Sequence, residues 1–260
     1  MKIASLIIAF FCLAGLSACL DIEEYIVINE DNSGVYTMQM DMGKVFAMAS
    51  QMGAEDVSTK KVEKMDSTVY LKDQVLAANN LTAAEKELYK DASIKIKLDK
   101  ANNEMKIIMS CPFKFISQLP EIKNNFYTVI NKLKALDKLY GKEGEQPGSP
   151  ADEAMGEKAL KPGADFCKFT AEPGKIEYRI IDTAGITKIV STDSTFMMMQ
   201  QMMSLLGEMT YKTRITSTKS FKNYTGNNAV LSADKKTIIF TNTFTDMLEH
   251  PERFAYKIEY

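Results

Sequence analysis

Paired runs of alternating apolar and polar residues place the strongest restriction on the fold of this chain. Each pair has turn-forming residues between its two runs, and the pattern occurs three times, at 24–41, 94–109 and 166–181. Alternation gives a strand one apolar and one polar face, which is typical of antiparallel sheets with one face in water. Turn formers between two such runs predict hairpins.

Helical periodicity occurs between the hairpins. Residues 43–52 carry apolar side chains on one side, and Thr82-Ala83-Ala84-Glu85 has the spacing of a capping box. The longest helix is predicted from Pro120 to just before Gly141. Another is predicted after Ser191-Thr192-Asp193. The fold class is therefore expected to be α+β, with mainly antiparallel β hairpins packed against three or four helices.

The region 141–165 divides the chain, because it combines glycines, prolines and charges without a strand or helix pattern. We expect a loop or linker there, between an N-terminal α+β lobe at 24–140 and a C-terminal α+β lobe at 166–260. These could be two domains or parts of one. The net charge of −2 excludes a strongly basic nucleic-acid binder, and the composition is that of a globular body.

The amino terminus has the pattern of an export signal. Lys2 precedes an apolar run, Ile3–Leu13, which is too short to cross a bilayer and ends in Leu16-Ser17-Ala18-Cys19. This segment and box resemble those of bacterial lipoproteins. The resemblance implies that 1–18 is a removed signal peptide, that Cys19 carries acyl groups such as palmitate, and that 19–23 is a lipidated tether. The alternative is an ordinary cleaved signal in which Cys19 is incidental.

The residues after Cys19 bear on the compartment. Leu20, rather than Asp, follows the cysteine. By the resemblance to Gram-negative lipoproteins, this implies lipid anchoring in the outer membrane. Asp21, Glu23 and Glu24 are similar to the acidic surface-export signals of Bacteroidota lipoproteins. The protein would therefore face either the periplasm or the cell surface, and two or three acyl chains would hold it stably.

The body also resembles lipoproteins at both ends. Three stretches, Glu23–Asn29 with Ser33-Gly34, Met38–Met52 and Leu231–Ile238, are similar to an outer-membrane lipoprotein family of the Bacteroidota type that has no assigned activity. The last stretch usually reads Ser-x-Asp-Gly-Lys-Thr-apolar, and Lys235 replaces the glycine here. There is a weaker likeness to LppM-type lipoproteins, which are suspected of handling lipids. Neither resemblance supplies a catalytic residue.

Two cysteines follow the lipobox, Cys111 and Cys167. In an oxidising compartment this pair could form a disulfide. The bond would close a loop of about 55 residues and contribute on the order of 4 kcal/mol. The alternative is two free thiols that act as small hydrophobes, and the sequence leaves both open.

Methionine is unusually frequent, with 17 residues and no tryptophan. Met198, Met199, Met202 and Met203 crowd one predicted helix and could line a flexible apolar pocket. Thioethers can also hold Cu(I), but copper sites usually include histidine or cysteine, and none is near in sequence. Packing is the commoner role of such methionines, so we expect no metal site and no cofactor.

No catalytic residue is expected, because His250 is the only histidine and lies in a predicted turn. We expect a membrane-anchored, non-enzymatic binding or structural module, bound to the membrane through Cys19. Its partner would be an envelope protein or a lipid, met by the exposed sheet face or by 141–165. The alternative is a lipid or apolar-ligand carrier, for which a cavity above ~300 Å³ is expected. The sequence leaves the oligomeric state open.

Overall fold

The computed structural model describes residues 21–51, 63–135 and 166–260, without the side chains at 49–51, 195, 198, 199, 202, 205 and 206. The strands are β1 (Asp21–Ile28), β2 (Gly34–Asp41), β3 (Lys64–Tyr70), β4 (Ser93–Asp99), β5 (Glu104–Phe113), β6 (Cys167–Glu172), β7 (Lys175–Ile180), β8 (Thr210–Ser217), β9 (Asn223–Gly226), β10 (Ala229–Leu231), β11 (Thr237–Thr243) and β12 (Tyr256–Glu259). The helices are α1 (Gly43–Gln51), α2 (Lys72–Ala77), α3 (Ala83–Tyr89), α4 (Leu119–Lys132), α5 (Thr183–Thr192), α6 (Ser194–Leu206) and α7 (Phe244–Glu249).

The strands form two sheets. The larger has the order β10-β11-β8-β1-β2-β5-β4-β3, and the smaller has the order β6-β7-β12-β9. Neighbouring strands are antiparallel except for β1 and β8, which are parallel. The prediction of an α+β fold with mainly antiparallel sheets is confirmed.

The three predicted hairpins are present as β1–β2, β4–β5 and β6–β7. In the first turn, the Asp31 carboxylate accepts hydrogen bonds from the backbone and hydroxyl of Ser33, at 3.0 and 2.6 Å. Local turn chemistry of this kind is what the sequence encodes most directly. The last strand, β12, pairs with β7 on one side and β9 on the other.

The two predicted lobes share the larger sheet. Strands β8, β10 and β11 come from 166–260, and they join the N-terminal strands through the parallel pairing of β1 with β8. The buried apolar side chains of both halves form a continuous core. Residues 141–165 therefore do not separate two independently folded sheets, and those residues themselves lie outside the described part of the chain.

The core lies on the inner face of the larger sheet, under the smaller sheet and the helices. Alternation turns Ile22, Ile26 and Ile28 of β1 inward. The sheets meet where the rings of Phe240 on β11 and Tyr256 on β12 stack, with centroids 4.7 Å apart and planes at 16°. Beside the smaller sheet, α4 contacts β2, β5 and β6.

Helix α4 is shorter than predicted. Its apolar side packs into the core, as the periodicity indicates, but the helix ends at Lys132 instead of near Gly141. Lys134 takes a left-handed backbone conformation with φ of 48°, and the Asn80 amide donates to the carbonyl of Lys132 at 3.1 Å. Asn80, which lies outside the helix, thus donates a hydrogen bond to a carbonyl oxygen in the last turn of the helix.

Candidate functional site

A cavity of about 120 Å³ lies between the two sheets, beside α4. Its apolar wall includes the rings of Phe169, Tyr178, Tyr211, Phe254 and Tyr256. Its polar lining comprises Glu24, Lys123, Asn124, Lys212, Thr213 and Asn242, with Cys167 nearby. Since Asn124 is exposed, the cavity reaches the surface next to α4.

A charged pair forms one wall of this cavity. Strand alternation places Glu24 on the inner face of β1 between Ile22 and Ile26, and Lys123 of α4 reaches down to both of its carboxylate oxygens. Each of the two charged side chains is only 14% exposed. The pair therefore ties a helix to a central strand within the core.

Further contacts complete the surroundings of the Glu24 carboxylate. The hydroxyl of Tyr36 donates to it at 2.8 Å and that of Thr213 at 3.4 Å. Burial alone would raise the pKa of Glu24, but the charge of Lys123 and these hydrogen bonds outweigh burial and hold the pKa below its ordinary value. Glu24 is therefore ionised at neutral pH and does not have the raised pKa of a general acid.

Aromatic rings surround the cation of the pair. The Lys123 ammonium lies 5.5 Å from the ring centroids of both Phe169 and Tyr178. The negative faces of aromatic rings attract a cation at such distances, and the attraction is stronger away from water. The charges of Glu24 and Lys123 are thus matched within the protein.

Three residues of the cavity lining each have a buried polar atom that lacks a partner among the described residues: the hydroxyls of Tyr211 and Tyr256 and the side-chain oxygen of Asn242. Tyr211 on β8 and Asn242 on β11 are directly opposite each other in the sheet. Burial raises the pKa of both tyrosines, so their hydroxyls stay protonated. Buried polar groups without partners are costly and uncommon in native proteins.

Both cysteines of the body are free, so the disulfide that Cys111 and Cys167 could form is absent from the structure. The Cys111 thiol is buried at the carbonyl of Leu88, and burial raises its pKa to about 12. Burial also raises the pKa of Cys167, against smaller opposing effects of Tyr178 and Lys123. The alternative of two thiols that pack as small hydrophobes describes them, and neither is activated as a nucleophile.

Most methionines with described side chains pack in or against the core, and few of them line the cavity. Of the predicted pocket residues, the side chains of Met198, Met199 and Met202 lie outside the described part, and Met203 packs against the core without lining the cavity. The methionines that do line it are Met38 and Met247, which come from β2 and α7. Met203 is thus not part of this cavity, and the pocket role of Met198, Met199 and Met202 stays a prediction.

The acidic residues after the lipobox belong to the fold. Cys19 lies outside the described residues, but β1 already begins at Asp21, within the stretch 19–23 predicted as a tether. Asp21 accepts a hydrogen bond from Thr210, Glu23 pairs with Arg214 at 3.2 Å, and Glu24 is the buried acid described above. Only Leu20 separates Cys19 from the sheet.

Sequence reasoning missed the Glu24–Lys123 pair and the three unpartnered groups. The available signal was a polar residue at an inward position of an alternating strand: Glu24 follows Ile22, and Asn242 follows Ile238 and Phe240 on the same face. Pairing Glu24 with Lys123 required the tertiary structure, since 99 positions separate them in the chain.

Among the described side chains, no group of three histidine, cysteine, aspartate or glutamate residues could hold a metal ion. His250 is about half exposed and lies 3.3 Å from Glu252 in a turn after α7. Within the described residues, no helix combines the length and apolar character needed to cross a membrane.

Comparisons with known proteins add little. No protein-family model matches this chain, and no curated protein matches it. Among solved structures, the NMR structure of the folded domain of the Mycobacterium tuberculosis LppM protein aligns with 94% of this chain and 91% of its own, at 7% identity and a TM-score of 0.33. A likeness of this size does not establish a shared fold, and no function follows from it.

Proposed function

We propose that this protein is a lipid-anchored lipoprotein of the bacterial envelope that acts as a non-enzymatic binding or structural module. The observation that carries the proposal is the box Leu16-Ser17-Ala18-Cys19 at the end of a short apolar signal. Acylation at Cys19 would attach the folded body to a bilayer. Two or three acyl chains give stable attachment, since each buried methylene contributes about 0.8 kcal/mol.

The start of β1 makes the attachment short. The two peptide units between Cys19 and Asp21 reach at most about 7 Å. The neighbours of Asp21 in the sheet are Asp41, where β2 ends, and Thr210, where β8 begins. In this proposal, that end of the larger sheet faces the bilayer and the body has little freedom to move away from it.

The outer membrane is the proposed compartment, because Leu20 instead of an aspartate follows Cys19. Engagement of Asp21, Glu23 and Glu24 in β1 weakens the interpretation of these acids as a free export signal. We therefore favour the periplasmic side over the cell surface.

A binding or structural role is favoured over catalysis by the state of the charged groups. The one buried carboxylate at the cavity, Glu24, is held ionised by Lys123, and the pKa of the neighbouring Cys167 is raised. An acid–base or nucleophilic site needs groups poised to exchange protons near neutral pH.

The carrier alternative receives less support. The cavity measures about 120 Å³, whereas pockets for drug-sized ligands occupy roughly 300–1,000 Å³. Met203, the one predicted pocket methionine with a described side chain, does not line it. A small ligand or an envelope protein is thus a better candidate partner than a whole lipid.

Palmitate labelling in cells tests the anchor. The full-length chain should incorporate labelled palmitate, and Cys19→Ser should abolish incorporation because it removes the acceptor sulfur. Cys12→Ser is the matched control, since Cys12 lies in the removed signal and its loss should leave the label unchanged. Labelling that persists in Cys19→Ser, or is absent from the unaltered chain, would contradict the proposal.

A further inference from the structure

The unpartnered groups at the cavity have a common geometry. Tyr211 and Asn242 are cross-strand neighbours, so their β-carbons lie about 4.5–5.5 Å apart on one face of the larger sheet. Phe240, two residues before Asn242 on the same face, stacks on the ring of Tyr256 from the smaller sheet. The two sheets therefore bring three residues, each with an unsatisfied polar atom, to the lining of one cavity of about 120 Å³.

The chemistry of these atoms specifies what would satisfy them. The oxygen of Asn242 can only accept a hydrogen bond, whereas the hydroxyls of Tyr211 and Tyr256 can each donate and accept. A matching ligand must therefore carry at least one hydrogen-bond donor, together with an acceptor for a tyrosine hydroxyl. An oxygen that bears a hydrogen, or an amide, meets both requirements.

The charges of the cavity favour a neutral ligand. Glu24 and Lys123 already neutralise each other at its wall. Lys212 also belongs to the lining, but it alternates with Tyr211 along β8, so its side chain points to the opposite face of the larger sheet. An anion would be buried near the Glu24 carboxylate, and a cation near the Lys123 ammonium, each without a free counter-charge. Burying an uncompensated charge is far more costly than burying a neutral polar group.

The size and the walls favour a ring. A buried apolar cavity of about 150 Å³ in another protein accommodates benzene, and the volume here is about 120 Å³. Aromatic side chains line this one, including Tyr211 and Phe254, whose rings meet edge to face at 5.7 Å. Flat rings pack favourably against such walls.

We propose that this cavity is a binding site for a small neutral molecule with a single ring and a hydroxyl or amide group, held by Tyr211, Asn242 and Tyr256. This inference rests on the binding-module form of the proposed function and names its ligand class. The ligand enters beside Asn124, places its ring among the aromatic side chains and its polar group at the three unpartnered atoms.

Phenol and toluene are suitable probes, because they share a ring and differ in the hydroxyl. The protein as its cells produce it, acylated or not, is labelled with ¹³C at its methionine methyls and mixed with lipid nanodiscs. It gives a local signal from Met38 and Met247, which line the cavity. Equilibrium dialysis fixes the free concentration of each probe despite uptake by lipid. Phenol should shift both signals saturably with a Kd of about 1 mM or tighter. Toluene should bind about five-fold more weakly or worse.

Ring-preserving variants assign the polar contacts. Tyr211→Phe and Tyr256→Phe should each weaken phenol binding about five-fold, with little change in toluene binding. Tyr260→Phe is the matched control, because the Tyr260 hydroxyl is also buried without a partner but lies outside the cavity lining. This control should change phenol binding by less than about two-fold, and thermal melting verifies that all three variants fold.

The outcomes separate this inference from the proposed function. Equal affinity for phenol and toluene, shifts that do not saturate, or unchanged phenol binding in both cavity variants would overturn the ligand site. Palmitate incorporation at Cys19 would still support the anchored module in that case. Saturable phenol binding without palmitate incorporation would instead retain the site and reject the anchor.

Discussion

At the scale of single residues, the Glu24–Lys123 pair is the costliest feature of the core. Both groups leave water almost completely, so their mutual attraction and the hydrogen bonds of Tyr36 and Thr213 must offset a large loss of hydration. Such pairs add little net stability as a unit, but each partner depends on the other.

Lys123→Met should therefore destabilise the protein strongly, by about 3–5 kcal/mol, because it leaves the buried Glu24 charge without its partner. Urea unfolding measures the change. Lys95→Met is the control, since the Lys95–Asp66 pair is exposed and should contribute less than about 1 kcal/mol. Equal losses in the two variants would show that the Glu24 charge is not buried.

The same pair predicts a pH dependence. The pKa of Glu24 is lower in the folded protein than its ordinary value of 4.5. The unfolded chain therefore binds the proton more readily, and the associated stability is present above about pH 4.5 and lost as the pH falls through the lower folded value. Unfolding free energies of the unaltered protein and of Glu24→Gln should converge as the pH falls below 4.5. A constant difference down to pH 3 would contradict this assignment.

The candidate site was only partly predictable at the residue scale. Polar residues at inward strand positions, Glu24 and Asn242, are visible in the sequence once the register is known. The residues beside them are not visible, because Lys123 of α4 and Tyr211 of β8 come close to them only in the tertiary structure. The sequence instead drew attention to the methionines, because they are frequent, but most of those with described side chains pack in or against the core.

At the scale of elements, turn residues, alternation and capping patterns predicted hairpins and helix starts correctly. Features that depend on contacts between distant residues were not predicted. Turn residues and alternation identified the three hairpins, and a capping box marked the start of α3. Helices α2 and α5 and strands β9 and β10 were missed, since they are short or lack a clear period. The extent of α4 was overestimated because Asn80, which caps its last turn, lies far away in the sequence.

The capping box of α3 gives a prediction at this scale. Thr82 accepts from the Glu85 backbone at 3.2 Å, and the Glu85 carboxylate accepts from the Thr82 backbone at 2.7 Å. Thr82→Ala should lower the free energy of unfolding by about 1 kcal/mol, measured in urea. Thr187→Ala, at an exposed position inside α5, should cost clearly less. A Thr82→Ala loss no greater than the control would argue against the cap.

At the scale of the whole molecule, the pairing of β1 with β8 joins the N-terminal and C-terminal halves of the chain in one sheet. Their parallel pairing joins residues as far apart as Asp21 and Thr210. Such pairing has no turn signal in the sequence, so the two halves were predicted as lobes when they share a sheet and a core. The same pairing places the first described strand, β1, in the middle of the larger sheet. Only Leu20 lies between this strand and Cys19 in the sequence.

The central claim is that Cys19 joins this body to a bilayer. Intact-mass spectrometry of the protein purified from its native membranes tests it most directly. We predict a chain that begins at Cys19 and is heavier than residues 19–260 alone by a diacylglyceryl group, usually with a further acyl chain on the new amino group. A chain that begins elsewhere, or that begins at Cys19 with no added acyl mass, would contradict the claim.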